Sequence, residues 1–270
     1  MINFNGELVS PNAFATSNRA FLYADALFDT LLYKNESLIF IEDHYFRLLA
    51  GMRQLRMEIP GFFTQEFWEN EIFKTIKDSH LKTARIRTTI FRNSLGYYFP
   101  ESNEIQFVIQ VNSVESKIKN PYTIGIYKDN LLNTNNIDNI KTTNKLIHVL
   151  ASIYANENNF DNCLLMNHKK QIVSAINANI FLVSKTNIYS PALSEGCVNG
   201  ITRKKMIELI RKSDDFQLIE SAISAYDLPN ADEIFLTNSI IGIQSVSNYK
   251  KTSYSNEVAA IFRVELEKGY

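Results

Sequence analysis

Hydrophobic residues in the first half of the chain follow two different spacings. From Ile41 to Met57 they recur at i, i+4 and i+7, which predicts a helix with one face in the core. The apolar positions of this helix are Ile41, Tyr45, Leu48, Leu49, Met52 and Leu55. Alternating and β-branched residues predict strands over Ala84–Arg92 and Ile105–Asn112. The chain start, Met1 to Val9, alternates around Asn5-Gly6 and predicts a β-hairpin.

The second half begins after a polar stretch that ends in proline, Ser113–Pro121, which we interpret as a linker. Beyond it, hydrophobic runs predict strands at Tyr122–Lys128, Cys163–Met166 and Gln171–Tyr189, and amphipathic helices at Asn144–Asn156, Thr202–Lys212 and Asn256–Lys268. The first of these helices is expected to bury Leu146, Val149, Leu150 and Ile153. The pattern predicts a small N-terminal α/β domain (1–112), the linker (113–121) and a larger C-terminal α/β domain (122–270).

Composition narrows the class of protein. The 270 residues carry 28 basic and 29 acidic side chains without a long basic run, so no nucleic-acid partner is expected. No apolar run reaches the roughly 18 residues of a membrane span, and the chain start lacks the features of a signal peptide. The two cysteines, Cys163 and Cys197, form neither a disulfide framework nor a metal-ligand spacing. A cytoplasmic enzyme without a metal site is the expectation.

Four short segments carry candidate chemistry: Ile140–Asn144, Ala178–Phe181, Gly200–Arg203 and Phe235–Ser239. A helix that opens after a Gly-Ile-Thr turn offers backbone N–H groups and a helix dipole to a phosphate. The lysine at 141 can condense with an aldehyde to form a Schiff base. A phosphorylated aldehyde cofactor, pyridoxal 5′-phosphate, satisfies both requirements.

The order and spacing of these segments resemble fold-type IV, or class IV, pyridoxal-phosphate enzymes, which include branched-chain aminotransferases, D-amino-acid aminotransferases and aminodeoxychorismate lyases. The resemblance begins at Ser17–Phe28, continues through Glu42–Leu48 and extends past Asp232-Glu233. It implies a two-domain α/β (α+β) fold with the cofactor in a cleft between the domains. It also implies a homodimer.

The resemblance assigns roles to individual residues. Lys141 matches the Schiff-base lysine; the alternatives are a surface lysine at a helix start or the neighbouring Lys145 as the reactive amine. Arg47 matches an arginine that grips the cofactor phosphate, although helical spacing alone favours a solvated surface residue. The remaining expected cofactor ligands are Ile201, Thr202, Asn238 and Ser239, which in isolation would be ordinary turn and cap residues.

Ser174 departs from the family pattern. Counting back from Asn179-Ile180-Phe181, it stands where the family has a glutamate that contacts the cofactor's ring nitrogen. A neutral hydroxyl can hydrogen-bond that nitrogen but cannot match the charge stabilisation of a carboxylate. We therefore expect weak transamination, or a partly degenerate site. A second departure is Ala24-Asp25-Ala26 in place of Gly-Asp-Gly, where a positive φ would be costly.

Two further segments distinguish the subfamilies. The loop Ser94–Pro100 lacks the Arg-x-His pair of D-amino-acid aminotransferases, and Thr237–Val246 resembles the lyase pattern. Phe28 replaces a tyrosine common among the aminotransferases, and Arg87 and Arg92 are candidate partners for substrate carboxylates, or simply solvated residues at a strand edge. The resemblance thus favours a lyase that converts 4-amino-4-deoxychorismate to 4-aminobenzoate and pyruvate for folate synthesis. A branched-chain-type aminotransferase and a non-catalytic homologue are the alternatives.

Overall fold

A computed structural model describes residues 1–11, 15–114 and 117–270 of the chain. The described residues group into two compact units: 1–115 with 140–144 and Tyr270, and 116–139 with 145–269. The predicted domain boundaries differ from these units chiefly in the segment Ile140–Asn144, which was expected in the C-terminal domain and belongs to the first unit. Of the predicted linker 113–121, Glu115 and Ser116 lie outside the described residues. The boundaries themselves stay a prediction.

The first unit is an antiparallel sheet with two long helices. Its elements in chain order are β1 (Ile2–Phe4), β2 (Glu7–Val9), α1 (Arg19–Tyr23), β3 (Ala26–Lys34), β4 (Ser37–Leu38), α2 (Ile41–Gln54), α3 (Gln65–Ser79), β5 (Thr83–Arg92) and β6 (Ile105–Ser113). The described strands run in the order β2-β1-β6-β5-β3-β4. The long strand β3 pairs with β5 over its whole length, from Ala26 opposite Phe91 to Lys34 opposite Thr83.

Helices α2 and α3 bury their apolar faces on this sheet. As predicted, Leu48, Leu49 and Met52 of α2 are in the core, which also contains Trp68 of α3 and Ile86 of β5. The helix α2 ends at Gln54, three residues before the predicted end. The hairpin β1–β2 and the strands β5 and β6 confirm the sequence prediction closely.

The second unit contains two mixed sheets and three α-helices among the described residues. Its elements are β7 (Thr123–Ile126), α4 (Leu146–Glu157), β8 (Asn162–Met166), β9 (Gln171–Ala175), β10 (Asn179–Ser184), β11 (Asn187–Ser190), α5 (Ile201–Arg211), β12 (Gln217–Glu220), β13 (Ile223–Ser224), β14 (Glu233–Asn238), β15 (Gly242–Ser245), β16 (Asn248–Tyr249), β17 (Thr252–Ser253) and α6 (Glu257–Glu267). One sheet has the order β12-β11-β10-β14-β15 and the other β13-β9-β8-β7-β16-β17.

The predicted burial of α4 is wrong. Leu146, Val149, Leu150 and Ile153 are exposed, with Val149 53% accessible. The buried residues of the helix are Ala151 and Ala155, one turn apart, which pack on Cys163 and Leu165 of β8. Two small side chains on one face allow the helix to approach the sheet closely, which leaves the larger apolar side chains on the outside.

Ala24 shows how the chain accommodates one of its departures from the family pattern. It ends α1 in the left-handed region, with φ 52°. A non-glycine residue pays about 1 kcal/mol for this conformation. The substitution of the usual glycine is therefore tolerated at a modest cost in stability.

Among the helices of the described residues, none is both long and apolar enough to cross a bilayer.

Candidate active site

Backbone hydrogen bonds attach the lysine segment to the start of β3. The Phe28 amide donates to the Lys141 carbonyl at 2.8 Å, and the Thr143 amide donates to the Ala26 carbonyl at 3.0 Å. Leu27 and Thr142 form an antiparallel bridge between these bonds. The position of Lys141 along β3 is therefore fixed by main-chain pairing.

Two cationic side chains contact the ring of Phe28. The Lys141 ammonium nitrogen lies 4.6 Å from the centre of its ring, and the Arg87 guanidinium carbon lies 3.9 Å from the same centre. The electron-rich face of an aromatic ring attracts cations at these distances. Three predicted site residues, Lys141, Phe28 and Arg87, thus form one cluster in the first unit.

A buried carboxylate, absent from the sequence-based prediction, orders the next residues. Asp29 accepts from Arg47 through two bonds, Nε at 2.8 Å and Nη2 at 2.7 Å, and contacts His44 Nδ1 at 2.6 Å. Burial alone would raise the pKa of Asp29, but the charges and hydrogen bonds of Arg47 and His44 hold that pKa well below its usual range. Arg47 is therefore a paired and oriented residue, not the solvated one that helical spacing suggests.

His44 is electrostatically linked to the lysine. Its ring is fully buried, and burial lowers its pKa despite the neighbouring Asp29. The charges of Arg47 and Lys141 lower that pKa further. His44 consequently favours the neutral form, in which Nδ1–H donates to Asp29.

Arg92 does not join the lysine cluster. Its guanidinium donates to Asp25 at 3.0 Å, to Asn103 at 3.1 Å and to the Leu55 carbonyl. Arg87 and Arg92 are five residues apart on β5, so strand alternation places them on opposite faces of the sheet. This geometry gives Arg92 a structural role and does not favour the predicted contact with substrate.

Lys145, the weaker alternative to Lys141, precedes α4 in the second unit. Burial lowers its pKa, and the charge of Asp138 opposes that shift. A lowered pKa is common in reactive lysines, so Lys145 is the appropriate control residue for substitutions of Lys141.

The start of α5 in the second unit has the features of an anion site. Its N-cap residue, Gly200, makes no side-chain cap, so the amides of the first turn, which include Ile201 and Thr202, are not capped by a side chain. A Cβ on Gly200 would lie 2.1 Å from Asn179 Oδ1, so any larger residue there would have to displace the Asn179 side chain. The Asn179 side chain is itself fixed by a bond to the Val198 carbonyl at 2.9 Å.

The turn after β14 supplies further polar groups. Asn238 Oδ1 accepts from the amides of Ile240 and Ile241 at 3.0 and 2.9 Å, so the predicted ligand Asn238 shapes the turn that presents Ser239. Thr237 was not selected from the sequence, yet its hydroxyl is buried without a hydrogen-bond partner among the described residues. It lies opposite Asn179 in the β10–β14 register.

Ser174 lies on β9 opposite Leu165 and is almost fully buried.

The chemical types of these donor groups match the functional groups of pyridoxal phosphate. The first turn of α5, which has no side-chain cap, and the Thr237 hydroxyl, which has no partner in the described part of the chain, suit a phosphate; the amine of Lys141 suits an aldehyde. Ser174 suits a ring nitrogen as a neutral hydrogen-bonding group only.

Comparisons with known proteins agree with this chemistry. The model of the family described as amino-transferase class IV matches residues 26–249. Aminodeoxychorismate lyase from Vibrio harveyi is 24% identical over 236 residues, which cover 85% of each chain. The fold matches 4-amino-4-deoxychorismate lyase from Pseudomonas aeruginosa with a TM-score of 0.87 at 20% identity, over 99% of this chain and 98% of that one. It matches branched-chain amino acid aminotransferase from Thermobaculum terrenum, solved in its PLP form, with a TM-score of 0.84 at 17% identity, over 100% and 94%. The predicted fold class is confirmed.

Asp29→Asn is expected to lower the free energy of unfolding by about 3 kcal/mol at pH 7, because it breaks a buried ion pair. The folded pKa of Asp29 lies below its unfolded value of about 3.9, so the pair stabilises above that pH and its contribution is lost as the pH falls further. Urea unfolding at pH 7, 5 and 3 measures the difference between variant and wild type. The surface pair Lys268–Glu265 provides the control, Glu265→Gln, which should cost less than about 1 kcal/mol. A difference that grows toward pH 3 would contradict the assignment.

Proposed function

The chain belongs to the class IV aminotransferase family, and from this premise we propose that it is a lyase that converts 4-amino-4-deoxychorismate to 4-aminobenzoate and pyruvate. The cofactor of the family is pyridoxal 5′-phosphate, as the sequence predicts. The observation that carries the proposal is the cluster of Lys141, Phe28 and Arg87. In it, an amine that can hold the cofactor and a guanidinium that can bind a substrate carboxylate both contact the ring of Phe28.

Each site residue has a role in this proposal. The bound cofactor supplies the electron sink that makes the Cα proton of the substrate acidic. The Lys141 amine removes that proton and returns one as pyruvate leaves, while Arg87 holds a substrate carboxylate beside Phe28. Arg47, already oriented by Asp29, and the group Ile201, Thr202, Asn238 and Ser239 are the proposed phosphate ligands. Ser174 would hydrogen-bond the ring nitrogen.

Two features support the lyase over the aminotransferase. The segment Thr237–Val246 follows the lyase pattern, and it forms the end of β14, the following turn and β15, with the Asn238 side chain bonded to the turn. Ser174 also favours the lyase, because formation of an aromatic product drives the reaction and makes it less dependent on a protonated ring than transamination is. The product then supplies folate synthesis. The cytoplasmic location rests on the sequence prediction alone.

An aminotransferase for branched-chain or related amino acids is the second candidate. It is supported by the fold match to the Thermobaculum terrenum enzyme and by the family itself. Pyruvate release without a keto-acid acceptor supports the lyase, whereas turnover that requires an acceptor supports the aminotransferase. A non-catalytic homologue, suggested by Ser174, would show neither activity and would not absorb as a lysine-bound cofactor.

Exposed apolar residues of α4 support the proposed homodimer. Leu146, Val149, Leu150 and Ile153 are all at least 37% accessible in the single chain. Clustered exposed side chains of this size are typical of protein interfaces. We propose that a second copy of the chain covers this face.

Lys141→Ala is expected to abolish the absorbance of the lysine-bound cofactor and to reduce pyruvate release by about 1,000-fold or more, equivalent to about 4 kcal/mol in the barrier. Absorbance spectra with added pyridoxal phosphate and a coupled pyruvate assay measure the two effects. The control Lys145→Ala should retain both. The proposal is wrong if Lys145→Ala, and not Lys141→Ala, removes the absorbance.

Ser174→Glu is expected to raise the rate of acceptor-dependent transamination by about tenfold, equivalent to ~1.4 kcal/mol in the barrier. It is also expected to change the cofactor spectrum, because it places a carboxylate beside the ring nitrogen. Steady-state kinetics with a keto-acid acceptor and absorbance spectra measure these effects. Ser174→Gln, similar in size but neutral, is the control. An unchanged spectrum together with unchanged turnover would refute the role of Ser174.

Val149→Asp is expected to convert the dimer to a monomer, because it places a charge in an apolar interface. Light scattering after size-exclusion chromatography measures the mass. Ile261→Asp changes an equally exposed apolar residue on α6 and should leave the dimer intact. A Val149→Asp dimer would exclude α4 from the interface.

A further inference from the structure

Thr143 is joined to the start of β3 by its side chain as well as by its backbone. Its hydroxyl oxygen lies 3.1 Å from the Ala24 carbonyl oxygen and 3.3 Å from the Ala26 carbonyl oxygen, so it can donate to either. Its amide donates to the same Ala26 carbonyl at 3.0 Å. The side-chain bond to Ala24 therefore extends the attachment of the lysine segment, Ile140–Asn144, beyond its main-chain pairing with β3.

The turn that accepts this bond is itself held in place. It consists of Ala24, Asp25 and Ala26, between α1 and β3. Asp25 Oδ2 accepts from Arg19 Nε at 2.9 Å and from Arg92 Nε at 3.0 Å. Both arginine side chains are largely buried, so these ion pairs are less screened by salt than surface pairs are. The Ala24 carbonyl is consequently a fixed acceptor for Thr143.

Lys141 lies at the centre of a tight turn that needs a second point of attachment. The Thr142 amide donates to the Ile140 carbonyl at 3.0 Å, which closes a three-residue turn around Lys141. The Lys141 carbonyl accepts one bond, from the Phe28 amide. A segment held by one bond can rotate about it, whereas a segment also held two residues further on cannot. Thr143 provides that second attachment.

The direction of this turn determines where the lysine amine can be. The Lys141 amine lies 4.6 Å from the centre of the Phe28 ring, at the end of a long and flexible side chain. A rotation of the backbone at its base would move the amine away from that ring. Because reaction rates depend steeply on the placement of the reacting groups, a small loss of order at the base would slow the chemistry of the amine.

We propose that Thr143 is a positioning residue for Lys141: its hydroxyl binds the turn at Ala24 and thereby fixes the direction from which the lysine amine meets an aldehyde. The inference rests on the proposed function, in which Lys141 holds the cofactor. It gives Thr143 a role that the sequence did not suggest. It also gives Arg19 and Arg92 an indirect role, because they hold the turn that accepts the Thr143 bond.

The first test uses unloaded protein and pyridoxal, which has the aldehyde of the cofactor but not its phosphate and so reports on the amine alone. Thr143→Val keeps the shape of the side chain and removes the hydroxyl. It should form the lysine-bound absorbance about fivefold more slowly than wild type, because one hydrogen bond that places the amine is lost. Thr143→Ser keeps the hydroxyl and should restore the rate. Lys141→Ala measures the background from other lysines.

The second test uses cofactor-loaded protein. Thr143→Val should lower kcat for pyruvate release about fivefold and change KM less than about twofold, because Thr143 has no proposed contact with the substrate. Thr142→Val is the matched control: it changes the neighbouring threonine, whose backbone pairs with Leu27, and should leave both rates unchanged. Thr143→Ala removes the same hydroxyl with a smaller side chain and should slow both reactions as Thr143→Val does.

The outcomes separate this inference from the proposed function. If Thr143→Val and Thr143→Ala react with pyridoxal at the wild-type rate, the positioning role is refuted and the proposed function stands. A lower melting temperature without a slower reaction indicates a purely structural bond and also refutes the role. A slower reaction with pyridoxal in a protein that releases no pyruvate supports the role and overturns the lyase. If wild type with excess pyridoxal phosphate lacks the lysine-bound absorbance, the proposed function and the inference both fail.

Discussion

The chemistry of the first unit depends on the pairing of Ile140–Asn144 with the start of β3. Two main-chain hydrogen bonds and one bridge fix this segment, and β3 is itself held by nine consecutive residue pairs with β5. The backbone of Lys141 is thereby fixed beside Phe28, and its ammonium lies 4.6 Å from the centre of the Phe28 ring.

The second organising feature is the separation of charges by strand alternation. On the helix side of β3, Asp29 neutralises Arg47 and accepts from His44. On the opposite face, Arg85 and Arg87 carry positive charge without an acidic partner among the described residues. The two faces of one sheet thus carry a paired charge network and an unpaired one among the described residues. Arg87 on this second face is the residue proposed to hold a substrate carboxylate.

Much of the fold could be predicted from local patterns. The helical spacing of apolar residues in α2 and their alternation in β5 and β6 indicate which side chains are buried. These elements have bounds close to the predicted ones. The burial of α4 could not be predicted in this way, because apolar side chains occur around most of that helix. Which face packs was decided by Ala151 and Ala155, whose small size permits close approach to β8.

For the candidate site, the sequence identified some residues correctly and missed others. Lys141, Phe28 and Arg87 were selected from the sequence and lie together. Arg92 was selected although its odd spacing from Arg87 already implied the opposite face. Asp29 was missed, but a lone acid within the apolar run Ala26–Tyr33 is a recognisable sign of a buried ion pair. The hydroxyls of Thr30 and Thr237 have no hydrogen-bond partner within residues 1–11, 15–114 and 117–270, and this had no sequence signal, because it depends on tertiary neighbours.

The most direct test of this active site is to locate the cofactor on the chain. Borohydride reduction of the loaded protein fixes the cofactor to the amine that holds it, and mass spectrometry of proteolytic peptides identifies that residue. We predict modification at Lys141. Modification at Lys145, or no modification at either lysine, would contradict the central role of Lys141.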